Sequence, residues 1–588
     1  MVISKNLASF SESCHTLHFS CNIPTSGNLN SRQPIAKKSH IICMCMPIPT
    51  STMSQPIATP LIKDNESLLR YLRQPMVLPH ELDDDTKRRE LVERTRRELQ
   101  SMSKPLEAMK LIDTLDRLGI AYHFEDDINQ SLTRFSSGQP NEDLLTTSLR
   151  FRLLRHNGHS ISSEIFGKFL VQNGKFEESL GEEDILGLLS LYEASYMGGG
   201  EEKILMEAME FSEAHLKSSI AKLTPQLSRQ VAQSLELPRH RRMARLEARR
   251  YIEEYGKFEN NYNPDLLELA KLDYNKVQSL HQMELSEITR WWKQLGLVDK
   301  LPFARDRPLE CFLWTVGLMP EPKYSGCRIE LAKTIAILLV IDDIFDTHGT
   351  IDELVLFTNA IRRWDLQAIE ELPEYMRICY MALYNTTNEI SYKILKENGW
   401  SVRPYLKETW IDMVDGFMME ASWFTNGQVP KMEEYLENGV TTAGSYMALV
   451  HCFFLIGKGV SEESVKLLMN PYPKLFSNAG RILRLWDDLG TAKEEQERGD
   501  LASSIVLFMK EKNITSDEEA RESILKLIHN LWKEMNGELV SRNALPLEIK
   551  KVAFNMARAS QVVYQHEEDS YFSSVDNYVK ALFFTPLI

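Results

Sequence analysis

After about residue 60, apolar residues recur at three- and four-residue spacing along nearly the whole chain, and runs that alternate apolar with polar are few. ELVERTRRELQSM (90–102), PLEAMKLIDTLDRLG (105–119), EDILGLLSLYEASYMG (183–198) and SVKLLMNPYPKLFSNAGRILRLWDDL (464–489) carry the pattern. Side chains three and four apart share a helix face, so this period predicts helices rather than strands. Gly119 after Leu118 reads as a helix stop, and Gly198 to Gly200 as a break. The chain therefore reads as all-α, without a repeat strong enough for a solenoid. A domain boundary is expected near 265–275, after YGKFENNYNPD, where Asn, Tyr, Gly and Pro interrupt the helical pattern.

One stretch breaks the amphipathic rule. Ile335 to Ile341 is a continuous apolar run, and Asp342, Asp343 and Asp346 follow it directly. An ionised carboxylate is costly to bury unless it is paired or bound to metal, so these acids need partners from elsewhere in the chain. On a helix Asp342 and Asp346 lie one turn apart on one face, where their oxygens can share hard Mg²⁺ ions. Asp343 points about 100° away and is expected in a salt bridge or behind the ligands.

A second acidic set lies in RILRLWDDLGTAKEEQERGD, where Asp487, Thr491 and Glu495 form one stripe at four-residue spacing. Arg484 extends that stripe with a cation suited to phosphate. An ordinary charged surface helix is the plainer reading, but it accounts poorly for Trp486 and Leu489 among these residues. The third element is PFARDRPLECFLW, where Arg305 and Arg307 flank Asp306. Guanidinium forks bind diphosphate oxygens bidentately and stay charged. Two Mg²⁺-type stripes plus arginines describe a pocket for a diphosphate. Departure of that group would leave a carbocation, which aromatic faces stabilise without quenching. Trp314, Tyr564 and Tyr571 are candidates for that role, although each alone reads as core.

Length and charge narrow the classes. At 588 residues two or more domains are expected, and all nine tryptophans fall between Trp291 and Trp532, which suggests an aromatic-rich functional half joined to a plainer one. Net charge is −15 and basic residues alternate with acids, so the footprint of a nucleic-acid binder is missing. No apolar run approaches the length of a spanning helix, so an integral membrane protein is not expected. Cys311, Cys327, Cys379 and Cys452 lack metal-site spacing and suit a reducing compartment. Residues 1–52 contain Glu12 as their sole acid and are rich in Ser, Thr and Asn, a composition that suits an organelle transit peptide. A leader without targeting value is the alternative, and Met53 offers an internal start for a cytosolic form.

The order and spacing of Arg305-Asp306-Arg307, Asp342-Asp343-Asp346 and Asp487-Thr491-Glu495, with GIAYHFEDDI (119–128) and ERGDLASSI (497–505), resemble the class I terpene synthases of plants. The resemblance implies an N-terminal α-barrel over 60–270, a relict without an active site, and a catalytic class I terpenoid synthase helical domain over 271–588. It implies three Mg²⁺ ions, with Mn²⁺ as a substitute, on Asp342, Asp346, Asp487, Thr491 and Glu495, and a diphosphate held by Arg305 and Arg484. A DxDD motif, used by class II cyclases, is missing. Asp83-Asp84-Asp85 is read instead as acids opening a helix.

Many cyclic monoterpene synthases carry RR(x8)W near the mature N-terminus, and no tryptophan precedes Trp291 here. That loss, with ISYKILKENGWSV (390–402), resembles the subfamily of acyclic products, such as linalool and nerolidol synthases. The expectation is ionisation of geranyl diphosphate, and of farnesyl diphosphate, with water captured at C3 by a plastid monomer. Thr441, Thr442 and Ser445, where glycines could kink a helix, are candidates for positioning the water. The alternatives are a hydrocarbon, geraniol or cyclic product, or a helical scaffold that has lost its chemistry.

Overall fold

The computed structural model describes residues 81–138, 140–179, 184–258, 262–469, 471–497, 502–565 and 575–588. Among these the architecture is helical throughout, and the only β feature is an isolated antiparallel bridge between Leu170 and Phe176. Numbering the helices of nine residues or more, the first half comprises α1 (Glu81–Ser101), α2 (Pro105–Arg117), α3 (Glu125–Arg134), α4 (Leu144–His156), α5 (Ile185–Ser195), α6 (Lys203–Ser219), α7 (Pro225–Glu236) and α8 (Ala244–Phe258). The second half comprises α9 (Pro264–Leu295), α10 (Pro308–Leu318), α11 (Ser325–Asp343), α12 (Ile351–Arg363), α13 (Glu374–Asn398), α14 (Arg403–Asn426), α15 (Met432–Thr442), α16 (Ser445–Ile456), α17 (Lys474–Glu497), α18 (Ser504–Lys512), α19 (Asp517–Val540) and α20 (Leu547–Tyr564).

The ends of these helices follow local chemistry. α2 stops at Leu118 and Gly119, the glycine at φ +72°. Asp143 caps α4 by accepting from the Thr146 N–H at 2.7 Å. Asn263 caps α9, with Pro264 in the first turn and Gly296 closing the helix at φ +64°. Asp84 and Asp85 lie in the opening turns of α1, where acids suit the positive end of the helix dipole.

Position 270/271 lies inside the continuous α9, so no break falls there; the interruption in the sequence pattern corresponds to the start of α9 at Pro264. α9 acts as a shared spine. Its first turns bury Leu266, Leu269 and Tyr274 with Leu99, Leu115 and Phe124, and its later turns bury Leu285 and Ile288 with Phe312 and Val562. A third core joins Phe151, Phe166 and Leu191 of the first half to Trp314, Leu338 and Phe476 of the second. His240 Nε2 and Asn536 Oδ1 meet at 2.7 Å, and the Asn536 amide donates to the Tyr196 and Gly198 carbonyls at 2.9 Å, tying α19 to the first half.

α11 sits at the centre of the second half, packed by α9, α10, α13 and α16. Every residue from Arg328 to Asp343 is buried, which explains why the run from Ile335 to Ile341 is apolar on every face rather than on one stripe. α17 stands across the bundle against α15, α16, α19 and α20. α15 and α16 bend by 41° around Gly444, which takes φ +76°. A Cβ on Gly444 would stand 2.7 Å from Leu338 Cδ1, so the missing side chain lets the bend press against α11. No single helix among the described residues is long and apolar enough to cross a membrane.

Candidate active site

The first acidic wall forms where α11 ends. Asp342 and Asp343 occupy its last turn, both nearly inaccessible, and Ile344–His348 continues as a π-helical turn that carries the half-buried Asp346. The wider turn is closed by the Gly349 N–H donating to the Ile344 carbonyl at 2.8 Å. Phe345 anchors it, with ring centroids 5.3 Å from Phe417 and 6.3 Å from Phe357. Asp342 and Asp346 thus straddle a change of helical pitch, a local geometry that recurs at functional sites.

Arg305 reaches this wall from the loop before α10. Its N–H donates to Asp343 at 2.9 Å, its guanidinium pairs with Asp343 at 2.6 Å and with Asp342, and it donates to the Leu339 carbonyl at 3.2 Å. Burial pushes the Asp343 carboxyl up, and Arg305 partly restores its charge. The expected salt bridge of Asp343 is therefore with Arg305. Phe303 of the same loop stacks on His348 at 3.9 Å, fixing the loop to the π turn. The neighbours of Arg305 go elsewhere: Asp306 accepts from Trp292 Nε1 at 2.9 Å, and Arg307 pairs with the buried Glu310 at 3.1 Å.

The second wall is one face of α17. Arg484, Asp487 and Thr491 are buried to 4%, 1% and 0% exposure, so these three are no solvated surface. Arg484 donates to Thr442 Oγ1 at 3.1 Å, and to Asp487 and the Gly439 carbonyl at 3.4 Å each. It lies in a slot that a side chain at 439 would fill, since a Cβ there would come 2.7 Å from Arg484 Nε. Thr491 donates its hydroxyl to the Asp487 carbonyl at 2.8 Å. Asp488 serves structure instead, accepting from Tyr435 at 2.9 Å and from the Ser504 N–H at 2.7 Å. The side chain of Glu495 and the whole of Tyr571 lie outside the described residues.

Glu420 of α14, unmarked by any sequence motif, stands beside the second wall. It accepts from Thr442 at 2.8 Å and from Asn438 at 3.2 Å. Burial raises its carboxyl, Arg484 opposes that shift, and the charge of Asp346 adds to it, so Glu420 feels both acidic walls. Its sequence context, MMEASWF, offers one acid in an apolar run and no spacing to read.

Trp314 of α10 and Tyr564 at the end of α20 come together, with centroids 6.2 Å apart and planes at 52°, both buried. Of the three residues at the bend, Thr442 is engaged by Arg484 and Glu420, Thr441 is half-buried, and Ser445 is fully buried with an unpartnered hydroxyl, 2.9 Å from where a Cβ on Gly480 would stand.

Among the described residues no group of three or more His, Cys, Asp or Glu side chains is gathered tightly enough to hold a metal by itself. The donors instead come in two sets, Asp342 with Asp346 and Asp487 with Thr491. All are hard oxygen donors, and the first members of both are almost fully buried beside a guanidinium. Such donors fit Mg²⁺, which keeps waters and substrate phosphate in its shell and takes only one or two carboxylates from the protein.

Comparison with known proteins places this geometry. The family models for the terpene synthase N-terminal domain and for the terpene synthase family metal binding domain match residues 69–235 and 293–534. Monoterpene synthase TPS4, chloroplastic, of Cananga odorata is 78% identical over 94% of this chain and 94% of its own length. Two chloroplastic proteins of Ocimum basilicum, a geraniol synthase and an R-linalool synthase, are 63% and 58% identical, each over 90% of this chain and 92% of its own. Among solved structures, isoprene synthase from grey poplar leaves (Populus x canescens), in complex with three Mg²⁺ ions and dimethylallyl-S-thiolodiphosphate, superposes with a TM-score of 0.80 at 40% identity, covering 89% of this chain and 99% of that one.

Proposed function

The chain belongs to the terpene synthase family of plants, whose metal-binding domain implies dependence on divalent metal, and from that premise we propose that it ionises geranyl diphosphate and captures water to release an acyclic monoterpene alcohol. The observation that carries the reading is the pair of buried acidic walls, each with its own guanidinium, Arg305 at Asp342 and Arg484 at Asp487. Asp342, Asp346, Asp487, Thr491 and Glu495 would hold the metal, three Mg²⁺ ions with Mn²⁺ as a substitute. Bound there, the cations would neutralise the diphosphate and stabilise it as a leaving group.

The chain's own groups do the rest. Arg305 and Arg484 hold diphosphate oxygens from opposite sides and remain charged throughout. Arg307 acts through Glu310 and steadies the turn that carries Arg305. The apolar length of α11 holds the prenyl chain and excludes water from all but the polar end. Trp314 and Tyr564 offer ring faces to the allylic cation. Water attack at C3 of that cation, with the surplus proton of the added water passing to the released diphosphate, gives linalool, or nerolidol when farnesyl diphosphate is bound. A second reading, attack at C1 to give geraniol, is favoured by the 63% identity to the Ocimum basilicum geraniol synthase. The division of labour proposed for the chain puts this chemistry in 271–588, with 60–270 as a helical shell. The chloroplastic relatives favour residues 1–52 as a plastid transit peptide. Activity as a monomer completes the reading.

The test is a product assay of the chain lacking residues 1–52, with Mg²⁺ and separately geranyl and farnesyl diphosphate, read by chiral gas chromatography with mass detection. A single acyclic alcohol is the expected result, and its position of oxygenation decides between C3 and C1. A mixture of cyclic hydrocarbons overturns the water-capture step. No turnover of either diphosphate overturns the enzymatic reading itself.

A further inference from the structure

A second cluster of arginines lies far from the acidic walls, inside the first half of the chain. α2, α4, α5 and α7, with the turn after α7, line a cavity of about 220 Å³ that opens to solvent on one side. Its walls carry Arg117, Arg152, Arg239 and Arg242, with Lys110, against two acids, Asp113 and Glu193. Arg152 and Arg242 are more than nine-tenths buried. Each of the four arginines has an acid within reach, Arg117 meeting Glu247 at 3.9 Å. Arg152 and Arg239 both bind Asp113, Arg239 also reaches Asp116 at 3.3 Å, and Arg242 donates to Glu247 at 2.9 Å. With Asp116 and Glu247 counted beside Asp113 and Glu193, four arginines and Lys110 exceed the acids by one charge, and the guanidinium groups hold the half-buried Asp113 carboxyl far below the usual range despite the opposing cost of burial.

The volume is smaller than the roughly 300–1,000 Å³ typical of sites for drug-sized ligands, so a prenyl chain is a poor occupant and a compact ion a good one. Guanidinium groups gathered around a small space suit a tetrahedral oxyanion. Glu193 narrows the choice. One of its oxygens accepts from the Arg239 N–H at 2.8 Å, and its other oxygen is buried without a partner. A carboxylate beside an anion site repels a proton-free anion, whereas an anion that carries a P–OH can donate to it.

We propose that this cavity is a second anion site, for a phosphoryl oxyanion that carries its own proton, and that Glu193 selects that proton. Inorganic phosphate and inorganic diphosphate share this chemistry, while sulfate near neutral pH has the same tetrahedral shape and no proton to give.

The test is isothermal titration of the full chain with phosphate, diphosphate and sulfate in turn, with EDTA present so that diphosphate cannot be held through divalent metal at the acidic walls. Phosphate is expected to bind about tenfold or more tighter than sulfate, the scale of one hydrogen bond to a charged group. Glu193→Gln keeps an oxygen for the Arg239 N–H and replaces the other by an amide donor, so it is expected to erase that preference by strengthening sulfate. Binding of diphosphate at least as tight as phosphate identifies the ion released at the acidic walls as the source, and weaker binding identifies free phosphate; both support the site. Equal affinity for phosphate and sulfate in the unaltered chain, or no binding of either, overturns the proposal without need of the variant. An unchanged preference in Glu193→Gln places the anion elsewhere and overturns it as well.

Discussion

The two acidic walls look alike in sequence and are built differently. Each presents an Asp-Asp pair and an arginine, and in each pair one aspartate faces the proposed substrate site while its neighbour is held by structure. In the first wall the arginine comes from a loop 37 residues away, is 21% exposed, and rests between Asp342 and Asp343. In the second the arginine is on the same helix, three residues before its aspartate, is 5% exposed, and is fixed by Thr442 and the Gly439 carbonyl. The difference suggests one wall whose arginine can be released to the diphosphate and one that is set before it arrives. Preorganised groups lower a barrier without reorganising, while movable ones can close over a ligand.

The largest break in this comparison comes from Asp342. Asp342→Ala removes an anchoring oxygen of the first wall and is expected to lower turnover about a thousandfold or more, corresponding to several kcal/mol of lost leaving-group stabilisation. Circular dichroism should keep its helical signal, because Arg305 retains Asp343. Near-normal product formation by this variant would show that the wall does not carry the metal.

Exchanging the arginines separates release from preorganisation. Arg305→Gln and Arg484→Gln are each expected to lose about a hundredfold in kcat/KM, the scale of one removed charge-stabilising donor. Their stabilities should differ. Arg484→Gln removes the buried cation beside Asp487 and is expected to cost about 3–5 kcal/mol, lowering Tm clearly. Arg305→Gln leaves both Asp342 and Asp343 beside a neutral amide that can still donate to them at this partly exposed position, so the cost should be smaller, about 2 kcal/mol. Equal loss of Tm in the two variants would erase the distinction between the walls.

α16 packs against both α11 and α17, and its fully buried His451 makes their common support sensitive to acid. Burial pushes His451 down to about 4 from an ordinary value of 6.5. Between those values the unfolded chain binds the proton and the folded chain does not, so stability is full above about pH 6.5 and falls as pH drops toward 4. At pH 5 the loss from this residue is about 2 kcal/mol. Tm measured against pH should show a steeper acid slope for the unaltered chain than for His451→Gln, and parallel slopes would remove His451 from the account.

How much of this was legible in the sequence depends on whether a feature is local. The helices were, because period and end signals such as Leu118-Gly119 lie within a few residues. The four-residue spacing of Asp487 and Thr491 was, because both lie in one continuous α-helix, whereas Asp342 and Asp346 fall on either side of a change of helical pitch. The departure of Asp343 from the face of Asp342 was legible, but its partner Arg305 is a tertiary fact. So is the π turn under Asp346, which depends on Phe345 meeting Phe417. Arg305 and Arg307 looked equivalent in the motif, yet Glu310 draws the second away. Glu420 gave no signal, since a lone acid in an apolar stretch is interpretable only when Thr442 and Asn438 are seen around it.

The smallest expected effect tests whether the second wall is truly set in advance. Gly439→Ala adds a methyl where Arg484 Nε would stand 2.7 Å away, with Arg484 Cγ and Cδ at 3.2 and 3.3 Å. The arginine is flexible in principle, but Thr442 and Asp487 hold its far end, so relief must come from a shift of the guanidinium by some tenths of an ångström. Alanine also favours the helix over glycine by up to about 1 kcal/mol, which offsets the strain and should leave Tm nearly unchanged. A displaced guanidinium should still lower kcat/KM about tenfold, because misplacement by about 1 Å can cost a hundredfold. Combined with Arg484→Gln, the glycine change should add no further loss, since its whole effect passes through that side chain. Additive losses would mean that Gly439 serves α15 itself, and that the second wall is no more preorganised than the first.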